Sequence, residues 1–536
     1  PYAYRLIVYE FFFFEKVGSS MSKFLKGTFI LLFAGLITRV LGFINRIVIA
    51  RSIGEEGVGL YMMAFPTFIL VVTLTQMGLP VAISKNIAEA EAKGNHQEIK
   101  KILVVSLAIT ISLSLIFTPA LILLAPILST TLFTDPRTYY PLIAIAPVVP
   151  VIAVSSVLRG YFQGRQNMRP SAISQILEQL VRITLIAVMT KAFLPYGIEY
   201  AAAAAMVAAI IGEVGSLVYL MTAFKLKKRF KLRKNFFQFV HSGKKTFKDL
   251  MEIALPTMGS RMIGSVAWFF EPIVVAHSLA IAGVAAIEAT KQYGSLTGFA
   301  MPLLMLPSFV TYSLATSLVP AISEANSKNN PQLIEHRLQQ ALRFAFLTGG
   351  LSVIVLYVLA DPLMELMYGS TKGSYFIRIM APFFLFYYYQ GPLQAVLQAL
   401  NLARAAMINS LIGAIIKTAV IFLLASQPSF GITGVALGII VGFVLVTVLH
   451  FATVLKKISF SLHVRDYLKG AIIMGISAWI GYWLFAHILL AEHLAIRVLS
   501  AASGMSIVYI FLIILAGLIK KEELKRIPII RNLIPI

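Results

Sequence analysis

The chain has 536 residues, 58% hydrophobic and 13% charged, with a mean hydropathy of +0.84. This lies far outside the composition of a soluble globular domain. A net charge of +23 would ordinarily raise nucleic-acid binding, but its distribution along the chain accounts for it differently. Cysteine is absent, which excludes disulfides, thiol catalysis and cysteine-ligated metals.

The first twenty residues, PYAYRLIVYEFFFFEKVGSS, differ in composition from everything after them, and Met21-Ser-Lys-Phe-Leu-Lys-Gly reads as a natural start. Residues 1–20 are therefore expected to be a mis-assigned upstream extension. From there to the end, apolar stretches recur at about 20 residues, the length that crosses the hydrocarbon core. They are predicted near 27–50, 60–83, 101–126, 139–160, 172–193, 199–223, 252–281, 295–320, 341–361, 376–398, 407–427, 432–455, 469–490 and 494–519. The fold class is an all-α integral membrane protein of about fourteen transmembrane helices. Pro66, Pro80, Pro147, Pro150, Pro256, Pro272, Pro302, Pro307, Pro382 and Pro392 interrupt these stretches. Such breaks are tolerated where neighbouring helices or a water-lined cavity satisfy the freed backbone groups.

The basic excess follows the loops. The segment 224–250 alone holds ten Lys and Arg, whereas the alternate set of loops holds six: Arg51, Arg137, Lys191, Lys291, Lys372 and Arg497. The positive-inside rule then puts both termini in the cytoplasm, with contact to anionic membrane lipids as a secondary effect and no nucleic-acid partner.

Sliding the sequence against itself by 235 positions brings Lys93, Asn95, Gln97 and Ile99 onto Lys328, Asn330, Gln332 and Ile334. The same offset pairs Gln163 with Gln398, Arg169 with Arg404 and Arg182 with Lys417. Upstream the register is expected to drift, with Ala82-Ile83-Ser84 on Ala321-Ile322-Ser323 and Arg39 on Arg261. The chain is read as a duplication. A six-helix lobe at 21–223 and a second at 251–455 are joined by a basic cytoplasmic linker at 224–250. Two extra helices and a basic tail follow at 456–536. Even-numbered repeats enter from the same side, so the lobes are expected to be related by a pseudo-two-fold along the membrane normal.

Charges inside apolar spans are the candidate functional residues, since one costs roughly 2.5–3.5 kcal/mol at mid-bilayer and persists for a reason. Arg39 (GLITRVLGFINR) and Arg261 (PTMGSRMIGSV) sit in matching Thr/Ser-Arg patterns, and neither has an acid three or four residues away. Guanidinium groups suit phosphate through bidentate, charge-assisted hydrogen bonds, so the pair is read as an anion site on equivalent helices facing one shared cavity. Lys417, Arg46 and Arg182 are further candidate cations. Snorkelling competes with function for Arg46, and an ion pair with Glu178, four residues earlier, competes for Arg182. Lys417 has Gly413 at the equivalent place and so no such neutraliser. Glu213 and Glu271 are buried acids that either pair with the cations or titrate in proton coupling, and pairing is favoured.

Enzyme signatures are missing. No Gly-x4-Gly-Lys-Ser/Thr phosphate loop is present, since SGKKTF at 242–247 lacks the spacing, and there is no HExxH pattern. No catalytic residue, cofactor or metal is expected, and any transport runs on an ion gradient, the membrane potential or the substrate gradient.

The segments TRVLGFINRIVIARSIGEEGVGLY (38–61), LTQMGLPVAISK (74–85) and SSVLRGYFQGRQNMRPSAISQILEQLVRI (155–183) resemble the polysaccharide-transport branch of the multidrug/oligosaccharidyl-lipid/polysaccharide exporter superfamily. The resemblance spans Met21 onward and implies fourteen spans in two six-helix lobes plus a two-helix appendix. It implies a flippase of the cytoplasmic membrane acting on a polyprenyl-diphosphate-linked saccharide by alternating access, with cell-wall synthases as possible partners. Likeness to proteins of endospore formers implies a peptidoglycan precursor for the spore cortex. Related lipid II flippases carry an arginine in a first-helix Ser-Arg-Val-Leu-Gly-Phe motif, which Arg39 in TRVLGF matches. Their further arginines in the second and eighth helices have no counterpart here, where Lys291 is the nearest cation. The alternatives are a cation-coupled multidrug exporter of the same superfamily and a non-transport scaffold for cell-wall synthesis.

Overall fold

The computed structural model describes residues 23–227, 239, 241–461, 463–488 and 492–518. The expected extension 1–20, residues 228–238 of the basic linker and the tail beyond 518 lie outside the described residues. The described chain is a succession of helices with no strand among the described residues.

Eleven helices among the described residues are long and apolar enough to cross a membrane. The number is twelve if Ala286–Met305 and Ser308–Ser327, bent by 52° around Pro307, count as one span. The expected count of fourteen is not confirmed, for two physical reasons. Phe33–Ala92 counts as a single candidate span, although Gly54 at φ 61° breaks the helix Lys23–Gln76. The helix Ser374–Ala399, carrying Arg378 and the Tyr-Tyr-Tyr-Gln run at 387–390, falls outside the apolar set.

The chain packs as two units. The first takes residues up to Ile53 and Met63–Phe269, and the second takes Gly54–Met62 and everything from Phe270 onward. In the first unit Ile83, Ile87 and Ala90 recur along the helix Leu79–Ala92. They meet Ile99 and Leu103 of His96–Ile127, and Leu158 and Phe162 of Val148–Gly164. Leu250 and Ala254, at the start of the helix Lys244–Ile281, complete this core.

The second unit repeats that core 235 residues later, with Leu318, Ile322, Ala325, Ile334, Leu338, Leu393 and Leu397 at the matching positions. Its turns repeat as well. Asn95 caps one helix by accepting from the Glu98 amide at 3.1 Å, and Asn330 caps its counterpart by accepting from the Leu333 amide at 3.0 Å. The residues before them, Gly94 and Asn329, are both left-handed, as are Gln166 and Asn401 at the next turn. One pairing is corrected. The upstream drift that put Ile83 on Ile322 is one helical turn out, because Ile322 occupies the place of Ile87 and Leu318 that of Ile83.

Two further features belong to the second unit. The helices Val464–His487 and Leu494–Leu515 pack on Pro331–Val358, where the Tyr509 hydroxyl donates to the Leu347 carbonyl at 2.8 Å. Residues 54–62 lie against 286–300 at backbone contact. A Cβ on Gly294 would fall 2.1 Å from the Glu55 carbonyl oxygen, and one on Gly59 would fall 2.1 Å from that of Thr290. Lys372 and Lys291 meet Glu55 and Glu56 at 3.4 and 3.5 Å.

Candidate functional site

In the first unit the charges converge where three helices meet: Val148–Gly164, Arg169–Phe193 and Ile198–Lys227. Gly212 permits the approach, since a Cβ there would sit 2.9 Å from the Glu178 carbonyl oxygen and 3.2 Å from the Arg182 Cβ. The next residue, Glu213, is 2% exposed. Arg159 Nη2 donates to Glu213 Oε1 at 3.1 Å, to Glu178 Oε2 at 3.2 Å and to Ser216 Oγ at 3.0 Å. Arg182 Nη2 donates to Glu178 Oε1. Two cations therefore face two anions, and none of the four charges is left to an uncompensated apolar environment. Arg159 was not singled out by sequence reasoning. It lies near the end of its span, where snorkelling is the ordinary account, and its partners are 19 and 54 residues away, beyond any local spacing rule.

In the second unit Lys417 Nζ donates to Glu271 Oε2. The expectation that Lys417 lacks a neutraliser is corrected: the acid comes from another helix, 146 residues away, instead of from the preceding turn. Gly442 leaves room for the lysine stem, since a Cβ there would lie 3.0 Å from the Lys417 Cβ. Arg378 is likewise paired, with Asp361.

Arg39 and Arg261 differ from these. Both are exposed, both belong to the first unit, and Arg261 has no carboxylate partner among the described residues. Their placement converges on one aromatic contact. The Arg46 guanidinium lies 5.7 Å over the Phe65 ring, and Phe65 meets Trp268 edge-on at 5.8 Å. The Thr73 and Ser265 hydroxyls share a hydrogen bond at 3.0 Å along the same seam. Arg39 lies seven residues before Arg46, and Arg261 seven before Trp268. Each is thus about 10 Å along its helix from the Phe65 contact, displaced toward that helix's N-terminus. Among the described residues no group of three or more His, Cys, Asp or Glu could hold a metal ion.

The pattern of the family described as "Polysaccharide biosynthesis protein" matches residues 24–326, and the MatE pattern matches 276–423. Stage V sporulation protein B of Bacillus subtilis (strain 168) is 60% identical over 511 residues, covering 95% of this chain and 99% of that protein. The chain belongs to the polysaccharide biosynthesis protein family. The lipid II flippase MurJ of the same organism is 26% identical over 95% of this chain and 98% of its own length. A solved structure of lipid II flippase MurJ in an inward closed conformation superposes with a TM-score of 0.66 at 16% identity, covering 91% of this chain and 99% of that one. The chain is accordingly a multi-pass membrane protein of that family, with the fold of the lipid II flippase structure.

Proposed function

We propose that the protein flips a polyprenyl-diphosphate-linked saccharide, a peptidoglycan precursor used in spore-cortex synthesis, by alternating access. Arg39 and Arg261 receive the diphosphate. The observation that carries this reading is the exposure of both guanidinium groups in one unit, on apolar spans, at the same helical distance from the Phe65 contact. An exposed guanidinium offers a fork of donors to a diphosphate and lowers the cost of taking that anion out of water. Arg46, held over Phe65, serves as a secondary cation of the same surface. Arg159, Arg182, Glu178 and Glu213, like Lys417 and Glu271, set the geometry of their units without meeting the head group. The basic segments at 224–250 and 456–536 face the cytoplasm, as the positive-inside rule requires, and the helices Val464–His487 and Leu494–Leu515 accommodate the lipid tail.

Replacing Arg39 or Arg261 with Ala is expected to lower translocation of labelled lipid-linked precursor at least tenfold, with membrane insertion unchanged. That size corresponds to the loss of one charge-assisted contact. Wild-type translocation in both variants would remove these residues from the site.

A further inference from the structure

Glycine inside a helix is destabilising relative to alanine, and in a membrane protein close packing normally offsets that cost. Gly212, Gly413, Gly438 and Gly442 follow the rule, since a Cβ at each would lie 3.0 Å or less from a neighbouring helix. Gly42 and Gly264 do not. No described residue has an atom within 4 Å of a Cβ placed on either. They are a matched pair, each three residues after the arginine in Arg39-Val-Leu-Gly42 and Arg261-Met-Ile-Gly264.

Helical spacing puts each glycine on its arginine's face. Arg39, Gly42 and Arg46 follow at three and four residues, and Arg261, Gly264 and Trp268 repeat that spacing. Both faces end on one ring: the Arg46 guanidinium lies over Phe65, and Trp268, 38% exposed, meets Phe65 edge-on. Each face is thus a strip about 10 Å long, with an arginine at one end, the Phe65 contact at the other and bare helix between.

An unpaired polar atom marks the same place. Asn45, one turn past Gly42, is 7% exposed, and its side-chain carbonyl oxygen has no hydrogen-bond partner among the described residues. A buried acceptor without a donor is costly, so a donor from a ligand is favoured there.

We infer, on the reading in which Arg39 and Arg261 receive the diphosphate, that the bare strips at Gly42 and Gly264 seat the adjoining sugar ring of the lipid-linked saccharide. A pyranose ring is uncharged, with C–H bonds on its faces and hydroxyls on its rim. Its C–H face fits bare backbone and the exposed Trp268 ring, and its hydroxyls are donors of the kind Asn45 lacks. Phosphate linked to that ring falls at the arginine end of the strip. An alkyl tail would fit the glycines as well but would leave the Asn45 oxygen unpaired.

The test measures retention of two lipids by the full chain in detergent, read by native mass spectrometry: a polyprenyl diphosphate carrying a saccharide, and the same lipid without the sugar. Wild type is expected to retain both, the saccharide-linked lipid more tightly. G42L and G264L should each weaken the saccharide-linked lipid at least tenfold more than the sugar-free one, because leucine overfills an occupied floor. Their thermal unfolding midpoints should not fall below wild type, since nothing described stands within 4 Å of the added Cβ. N45L keeps the side-chain shape and removes the acceptor, so it should weaken the saccharide-linked lipid selectively, about fivefold; it serves where a leucine variant folds poorly. R39A/R261A should weaken both lipids alike, so loss of the phosphate site and loss of the sugar seat read differently. Equal affinity of wild type for the two lipids, or equal weakening of both by G42L and G264L, would overturn the sugar seat and leave the arginine reading standing. No retention of either lipid by wild type would overturn both.

Discussion

Arg159 is the residue on which the first unit's charges depend. Its guanidinium reaches two carboxylates that are 9% and 2% exposed, so truncation would remove the hydrogen-bonded cation of Glu213 and leave Glu178 with Arg182 alone as its ion-pair partner. Removing one partner of a buried ionic group costs roughly 3–5 kcal/mol, because the remaining charge stays desolvated. R159Q is therefore expected to lower the thermal unfolding midpoint in detergent by several degrees, whereas R39A, at an exposed position, leaves it near wild type. Equal midpoints for R159Q and wild type would show that the cluster is hydrated and contributes little. At this scale the sequence revealed half of the site. Arg182 beside Glu178 was legible from their four-residue spacing, and the pairing of Glu213 and Glu271 was a reasonable expectation from burial. Their actual partners, Arg159 and Lys417, come from other helices, and only tertiary packing supplies such contacts.

Among the elements, residues 54–62 and 286–300 approach each other at backbone contact. At Gly294 an added Cβ would meet the Glu55 carbonyl oxygen at 2.1 Å and the Gly59 amide at 2.6 Å, neither of which is a flexible side-chain end. Overpacking of this kind costs typically 1–3 kcal/mol. G294A should destabilise the protein by about that amount in thermal unfolding, while G264A, with nothing within 4 Å of the added carbon, should be neutral or slightly stabilising. Equal behaviour of the two variants would contradict the tight seam. Small residues at such crossings are how membrane helices gain contact where lipid is as apolar as the side chains. The elements themselves were legible in hydropathy, and the duplication was legible in turn residues such as Asn95 and Asn330. The count of fourteen is not confirmed: the helix Lys23–Gln76 carries the Gly54 break among the charged Arg51, Glu55 and Glu56, and Ser374–Ala399 is a long helix with a polar aromatic stretch.

For the whole molecule, the two units repeat one core while carrying different charges. The first holds Arg182 with Glu178 and Arg159 with Glu213, and the second holds Lys417 with Glu271. In the proposed function Arg39 and Arg261, both exposed and both in the first unit, receive the head group of a lipid-linked saccharide. The central claim is translocation itself. The most direct measurement is transfer of a fluorescent polyprenyl-diphosphate-linked saccharide across proteoliposomes containing the full chain, read by loss of leaflet-specific quenching. Translocation well above protein-free vesicles, abolished in an R39A/R261A double variant that still inserts, is the predicted result; a rate equal to protein-free vesicles for the wild-type chain would contradict the account.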